Sequence, residues 1–151
     1  MRKDTTMSEK TFSLNFDGYW RAENVRGIPS KSGVYCVYEC THNVSASTVT
    51  LRQLISIGES RNVNARVSNH EKWSDWSKYA GFGNELCFSF SYEDSFNRSS
   101  VEAALIYEHK PPENTEYKSF FPFATTIIKT AGRNGFLRHS FKVFKSVLEI
   151  G

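Results

Sequence analysis

Three side chains that could converge at the ends of two strands lie between residues 35 and 70. Tyr35 falls in an apolar run typical of a strand, and Arg66 and His70 are four residues apart in a segment with helical periodicity. Residues four apart share one face of a helix, so the sequence predicts that Arg66 and His70 lie on the same side. A helix that follows the strands directly would bring a guanidinium and an imidazole towards the phenol of Tyr35.

The elements that must position these groups are two strands and a helix. Residues 51–57 are rich in strand formers, Gly58 allows a sharp exit, and the polar segment 41–48 has the length of a hairpin loop. The helix is expected near residues 61–71. The first strand, Gly33 to Cys40, is predicted to carry Val34, Cys36 and Tyr38 on one face and Tyr35, Val37 and Glu39 on the other.

The two strand ends resemble the GIY-YIG nuclease superfamily. The first half of the name motif is matched by Gly33, Val34 and Tyr35, and the second half, with its tyrosine replaced by serine, is matched by Ser56, Ile57 and Gly58. The spacing from Gly58 to Arg66 and His70 is similar to that of the family's helical arginine and histidine. Further along, Glu102 resembles the metal-binding glutamate and Asn114 the asparagine that follows it, so the match covers roughly residues 31–115.

This resemblance implies hydrolysis of DNA phosphodiester bonds with Mg²⁺ or Mn²⁺ as cofactor. Tyr35 would be the general base on water, Arg66 would neutralise a phosphate oxygen, and His70 would hydrogen-bond the phenol. Glu102 would hold the cation through oxygen, the ligand that Mg²⁺ prefers, and Asn114 would orient the glutamate or the phosphate. A phenol with a pKa near 10 is a poor base at pH 7, so a neighbouring cation would have to lower its pKa.

Each of these residues also has a structural alternative. Ser99 and Glu102 have the spacing of a capping box, which by itself explains a glutamate at the start of a helix, and Ser100 is another candidate cap. Tyr35 alone is an ordinary strand residue, and Asn114 follows a proline pair as a turn residue would. The ordered series favours a catalytic site over these separate explanations.

The replaced tyrosine leaves a second function open. Ser56 keeps a hydroxyl but lacks the reach of a phenol, and Tyr19, Tyr38 and Tyr107 are candidates to replace it in space. Glu59, directly after the motif glycine, could add a metal contact or repel DNA. A nucleic-acid-binding module on an inactive nuclease scaffold is therefore the alternative to an endonuclease, and a small protein-interaction domain is the third possibility.

Charge and composition set the remaining bounds. The chain has 151 residues and a net charge of +3, with twelve phenylalanines to build one core. The three cysteines form no CxxC pair and no even disulfide framework, and no apolar run has membrane-spanning length, which favours a cytoplasmic location. Residues 117–148 contain no acidic residue, and this stretch includes the predicted DNA-binding cations Lys129, Arg133, Arg138 and Lys142.

These patterns together predict an α+β domain with a mainly antiparallel, three-stranded central sheet flanked by helices. The third strand is expected at residues 86–92, a helix at 99–109, and an additional strand pair after residue 124. The predicted organisation is an N-terminal arm, residues 1–30, followed by one nuclease-like domain, residues 31–151. Whether the chain is a monomer or a homodimer is left open by the sequence.

Overall fold

A six-stranded mixed sheet forms the centre of the protein, and the computed structural model describes residues 9–148. The strands are β1 (Lys10–Arg21), β2 (Gly33–Asn43), β3 (Thr48–Ser60), β4 (Glu85–Tyr92), β5 (Thr126–Gly132) and β6 (Ser140–Val143). They lie in the order β3-β2-β4-β1-β5-β6, and every neighbouring pair is antiparallel except β1 and β5, which are parallel. The predicted α+β class is compatible with this architecture.

The sheet has six strands, twice the number predicted for the central sheet. The expected strands are present as β3, β2 and β4, but β1 continues the sheet and joins it to the C-terminal pair β5 and β6. The reason is the alternation of Phe12, Leu14 and Phe16, which gives β1 one apolar face against the core. Residues 10–21 therefore form an inner strand of the sheet, although the sequence analysis assigned them to an arm. Residues 1–8 and 149–151 of the predicted segments lie outside the described residues.

Two apolar clusters cover opposite faces of the sheet. On the face that packs against α3 (Arg98–His109), Val34, Cys36 and Tyr38 are buried with the helix. On the other face, Tyr35 and Val37 are buried with the short helices α1 (Val63–Ser68) and α2 (Trp73–Ser77). The predicted alternation of β2 is confirmed, and these are called the α3 face and the α1 face below.

Helix α1 is shorter than the segment predicted near 61–71. Its first turn is capped by the Asn62 side chain, which accepts a hydrogen bond from the Ala65 backbone N–H. At its end, the Asn69 side chain donates to the Ala65 carbonyl at 3.2 Å, and the Trp73 indole donates to the Val67 carbonyl at 2.6 Å. These side chains bond carbonyls of the last turn, so α1 ends at Ser68 and His70 lies in the connection to α2. The expectation that Arg66 and His70 share one helix is wrong.

Helix α3 begins one residue before the predicted start. Its N-cap residue, Asn97, makes no side-chain cap hydrogen bond, and the Ser100 hydroxyl donates to the Asn97 carbonyl at 3.1 Å. The capping box of Ser99 with Glu102 does not form, which leaves the Glu102 carboxylate available for another contact. The helix ends at His109, as predicted, and its C-cap residue Lys110 adopts the left-handed conformation with φ +48°, directly before Pro111.

Two tryptophans and the three cysteines have structural positions. Trp76 is buried in the cluster on the α1 face, and Trp73 packs against that cluster. The three cysteines are free and buried. Among residues 9–148, no helix is both long enough and apolar enough to cross a bilayer.

The assignment of β1 to the core leads to the first prediction. Phe16 is 1% exposed and packs in the cluster on the α3 face, so Phe16→Ala should lower the free energy of unfolding by about 3–5 kcal/mol. Urea denaturation followed by circular dichroism would measure the loss. Phe96→Ala, at a phenylalanine that is 85% exposed, is the control and should change the stability by less than about 1 kcal/mol. A loss as small as the control's would show that β1 is a loosely attached arm.

Candidate functional site

All five predicted catalytic residues line one cavity of about 340 Å³ beside the edge strand β3. They come from separate parts of the chain: Tyr35 from β2, Arg66 from α1, His70 from the connection after it, Glu102 from α3 and Asn114 from the loop that follows. The motif residues Ser56, Ile57 and Gly58 line the same cavity. The convergence expected from the order and spacing of these residues is therefore present.

The phenol of Tyr35 lies directly over Gly58 on the neighbouring strand. The two residues are partners in the β2–β3 ladder, and a Cβ placed on Gly58 would lie 2.3 Å from Tyr35 Cζ and 2.4 Å from Tyr35 Oη. Only glycine leaves room for the ring at this point. The glycine of the second strand thus sets the position of the tyrosine on the first.

Gly33 and Val34 contribute to this arrangement without lining the cavity. A Cβ on Gly33 would lie 2.2 Å from the Ser91 carbonyl oxygen and 2.6 Å from Phe90 Cε1, so β4 and its phenylalanine pack against the bare backbone. Val34 is fully buried in the cluster on the α3 face. These two residues fix β2 in the sheet, and Tyr35 is the member of the first motif that reaches the cavity.

The guanidinium of Arg66 is occupied by a carboxylate that the sequence analysis did not single out. Arg66 Nη1 and Nη2 donate to Glu71 Oε1 and Oε2 at 2.9 and 3.1 Å, a bidentate pair. The hydrogen bonds from Arg66 hold the pKa of Glu71 at about 2. Since a phosphate offers the same two-oxygen geometry, the Glu71 carboxylate stands where two phosphate oxygens could bind.

His70 is held as a neutral ring with a defined tautomer. The Lys72 backbone N–H donates to His70 Nδ1 at 3.0 Å, so the proton of the neutral ring is on Nε2. Burial, followed by the charge of Arg66, lowers the pKa of His70. The ring packs against Trp76, with centroids 4.4 Å apart, and meets the Tyr35 ring edge-on at 6.4 Å. His70 is therefore a hydrogen-bond donor through Nε2 at neutral pH.

Burial dominates the ionisation of Tyr35. The side chain is 3% exposed, and desolvation raises the pKa of its phenol, although the Arg66 guanidinium opposes the shift. The lowered pKa expected for a general base is therefore absent in the structure as it stands. Tyr35 carries its proton at pH 7.

Glu102 is the acidic group whose environment most disfavours charge. Burial, followed by the nearby Glu59 and Glu116 carboxylates, raises the pKa of Glu102 to about 8. No residue within 9–148 forms a hydrogen bond or ion pair with its carboxylate. Glu59 itself is held by Arg98 Nε at 2.6 Å, and Arg98 Nη1 also donates to Ser32 Oγ at 2.9 Å.

These surroundings fit a single-carboxylate site for a hard divalent cation. A cation would favour the charged form of Glu102 and relieve its repulsion from Glu59 and Glu116, and Mg²⁺ completes its coordination with waters and phosphate oxygens. Within the part of the chain that the structure describes, no group of three or more His, Cys, Asp or Glu residues forms a ready cation site. Glu102 is thus the one predicted ligand from the protein.

Asn114 has a different partner from the one predicted. Its Nδ2 donates to the Ile57 carbonyl and its Oδ1 accepts from the Ile57 N–H, both at 2.9 Å, and the neighbouring Glu113 N–H donates to the Ile55 carbonyl at 3.0 Å. The side-chain amide therefore pairs with the backbone of β3 as another strand would. Asn114 fastens the loop after α3 to the motif strand instead of orienting Glu102 or a phosphate.

The predicted DNA-binding cations do not form one patch. Register places Lys129 and Lys142 on the α1 side of the sheet, and Lys142 Nζ is paired with Glu9 at 2.7 Å. Arg138 pairs with Glu108 on α3 at 3.2 Å. Arg133 lines a second cavity, of about 490 Å³, together with Arg21 and His42. These residues fall in one acid-free segment of sequence, but only Lys129 and Lys142 are placed on the same side of the sheet by the β5–β6 register.

One aromatic residue of the site was not predicted from the sequence. Tyr117, in the loop after α3, lines the cavity, whereas Tyr38 Oη donates to the Gly135 carbonyl at 2.7 Å and Tyr19 Oη accepts from the Gly135 N–H at 3.0 Å. Burial and the charges of Glu116, Glu102 and Glu59 raise the pKa of Tyr117. Its loop follows a proline pair and has no periodicity, so no sequence signal pointed to it.

Comparisons of the chain with protein-family models, with curated proteins and with solved structures return no match. The arrangement of the cavity is therefore the basis for assigning a function.

The contact between Gly58 and Tyr35 leads to the second prediction. Gly58→Ala forces the ring out of its place and should lower the free energy of unfolding by about 1–3 kcal/mol, the usual range for overpacking. A double-mutant cycle with Tyr35→Ala is the control. Once the ring is absent, the added methyl group meets no clash, so Gly58→Ala should cost clearly less in that background. Equal costs in both backgrounds would contradict the contact.

The environment of Glu102 leads to a pH prediction. The folded-state pKa of about 8 lies above the ordinary value of 4.5, so the unfolded chain loses this proton first and the stability from Glu102 falls between about pH 4.5 and 8. Glu102→Gln should remove this decline. The variant should therefore melt at a higher temperature than the unmodified protein at pH 8, and this gain should be smaller at pH 5. Glu108→Gln, on the same helix but outside the cavity, is the control. A variant whose pH profile matches that of the unmodified protein would refute the raised pKa.

Proposed function

We propose that the protein is a divalent-metal-dependent endonuclease of GIY-YIG type that hydrolyses DNA phosphodiester bonds. The observation that carries the proposal is the meeting of Tyr35, Arg66, His70 and Glu102 at one cavity. These residues were predicted from a resemblance in motif, order and spacing, and they come from different elements on both sides of the sheet. A phenol, a guanidinium, an imidazole and a carboxylate provide groups for each requirement of phosphodiester hydrolysis.

Arg66 would bind a non-bridging phosphate oxygen in this reaction. Its present partner, Glu71, has a side chain that is 66% exposed, and exposed ion pairs contribute only about 0–1 kcal/mol. A phosphodiester, which also carries one negative charge and offers two non-bridging oxygens, can therefore displace Glu71 at small cost. Until then, the ion pair holds the guanidinium in a fixed orientation at the cavity.

Tyr35 and His70 would act on the attacking water. The neutral His70 ring donates from Nε2, so it can stabilise a phenolate at Tyr35 but cannot take a proton through Nδ1, which is already bonded to the Lys72 N–H. Tyr35 must lose its own proton before it accepts one from water. Because burial raises the pKa of Tyr35, the proposal implies a cleavage rate that increases from neutral to alkaline pH.

Glu102 would hold Mg²⁺ or Mn²⁺ as a carboxylate. The bound cation would supply charge neutralisation for the phosphate and the leaving oxygen. Glu59 stays paired with Arg98, which keeps a second negative charge from approaching the phosphate freely.

A nucleic-acid-binding module that does not cleave is the second candidate. It is favoured by Ser56, which is 8% exposed and cannot supply a phenol, and by the raised pKa of Tyr35. In this case Arg66 would still bind phosphate. Glu102 would remain protonated near pH 7 and would have no catalytic role.

A supercoiled-plasmid assay tests the proposal. The unmodified protein and the control Glu108→Gln should nick the plasmid with Mg²⁺ or Mn²⁺ and not with EDTA, and Glu102→Gln should lose at least about a hundredfold in rate. Thermal denaturation gives a second measurement: Mg²⁺ should raise the melting temperature at pH 8 for the unmodified protein but not for Glu102→Gln. Intact plasmid with a retained gel shift would favour the binding module. Intact plasmid without any gel shift would exclude both functions.

A further inference from the structure

The cavity contains a second phenol besides Tyr35. Tyr117 lines it from the loop after α3, and Glu102 lines it from the helix itself. Tyr35 and Tyr117 approach the cavity from opposite faces of the sheet, because Tyr35 packs with the cluster on the α1 face and Tyr117 packs against the cluster on the α3 face. A ligand in the cavity would thus lie between two phenols.

The loop that presents Tyr117 is fastened at several points. Asn114 and Glu113 bond to the backbone of β3, and Lys110 Nζ donates to the carbonyls of Tyr107 and Lys118. The Tyr117 ring also packs against Phe123, with centroids 5.9 Å apart. These contacts fix the loop on both sides of residue 117, so the position of the ring is defined before any ligand binds.

The backbone at Tyr117 is strained. Its φ is +63°, in the left-handed region that a bulky side chain rarely adopts and that glycine or asparagine would occupy more easily. Such strain persists where the surrounding structure imposes it, and it concentrates at functional sites. The ring is therefore kept at the cavity against the local preference of the backbone.

The hydroxyl of Tyr117 can donate a hydrogen bond to a ligand in the cavity. Among the described residues, none forms a hydrogen bond with it, and a phenol keeps its proton at neutral pH. The neighbouring Tyr107 differs, because it packs against Phe121 and under Lys110 and does not line the cavity. Tyr117 is thus a positioned, protonated hydroxyl at the Glu102 side of the site.

We infer that Tyr117 is a substrate-contacting residue, whose hydroxyl donates a hydrogen bond to a phosphate oxygen of the bound strand on the side of Glu102. This inference rests on the proposed function and deepens it. Arg66 would bind the same phosphate from the α1 face, so the phosphodiester would be held from both faces of the sheet. Tyr117 would thereby supply a second phenol to the site, which Ser56 on β3 cannot supply in place of the motif tyrosine.

The experiment compares Tyr117→Phe with Tyr107→Phe, the same change at a tyrosine outside the cavity. Single-turnover cleavage of a short duplex with Mg²⁺ should be about tenfold slower for Tyr117→Phe, the factor expected for one hydrogen bond to a charged group, and unchanged for Tyr107→Phe. The affinity for the same duplex in Ca²⁺ is the second readout and should also fall for Tyr117→Phe. The melting temperatures of Tyr117→Phe and the unmodified protein should agree, since no internal hydrogen bond is lost.

The outcomes separate this inference from the proposed function. If the unmodified protein cleaves and Tyr117→Phe cleaves and binds equally well, the role of Tyr117 is refuted and the endonuclease stands. If the unmodified protein binds the duplex without cleaving it, the endonuclease is refuted, and weaker binding by Tyr117→Phe supports the contact while equal binding overturns it. A protein that neither binds nor cleaves the duplex overturns both.

Discussion

The close contact between the Tyr35 ring and the bare backbone of Gly58 determines the rest of the site. It requires two antiparallel strands in one register, since a slip of one residue would turn the ring to the other face. That register is held by the packing of Gly33 against β4 and by the apolar clusters on both faces. Once the ring is fixed, α1 and its connection bring Arg66 and His70 beside it, and α3 brings Glu102.

Local sequence patterns predicted the parts of the protein that depend on local physics. The alternation in β2 followed from side-chain periodicity, and the helix predicted at 99–109 is present as α3. The convergence of the site residues was also predicted, but from a resemblance in order and spacing. Periodicity alone would not have selected Glu102 from the other glutamates.

The features that the sequence could not predict depend on contacts that follow no periodic pattern, some of them distant in the chain and some between a side chain and a nearby backbone group. The alternation of Phe12, Leu14 and Phe16 indicates a strand, but its parallel pairing with β5 joins segments more than a hundred residues apart. His70 lies outside α1, although the sequence predicted it inside, because the Trp73 indole and the Asn69 amide donate to carbonyls of the last turn of α1. Likewise, Glu71 and Tyr117 became part of the site through the folding of connections without periodicity.

The amide of Asn114 has a consequence for how copies of this chain can associate. An edge strand with free N–H and C=O groups is a template for strand addition, and proteins protect such edges by covering them. Asn114 and Glu113 cover β3 at Ile57 and Ile55, so the cavity side of the sheet resists edge-to-edge pairing. The opposite edge, β6, has only four residues and carries Lys142, and short charged edges also disfavour aggregation. The sheet is thus protected at both ends by different means, and its cavity stays open to a ligand.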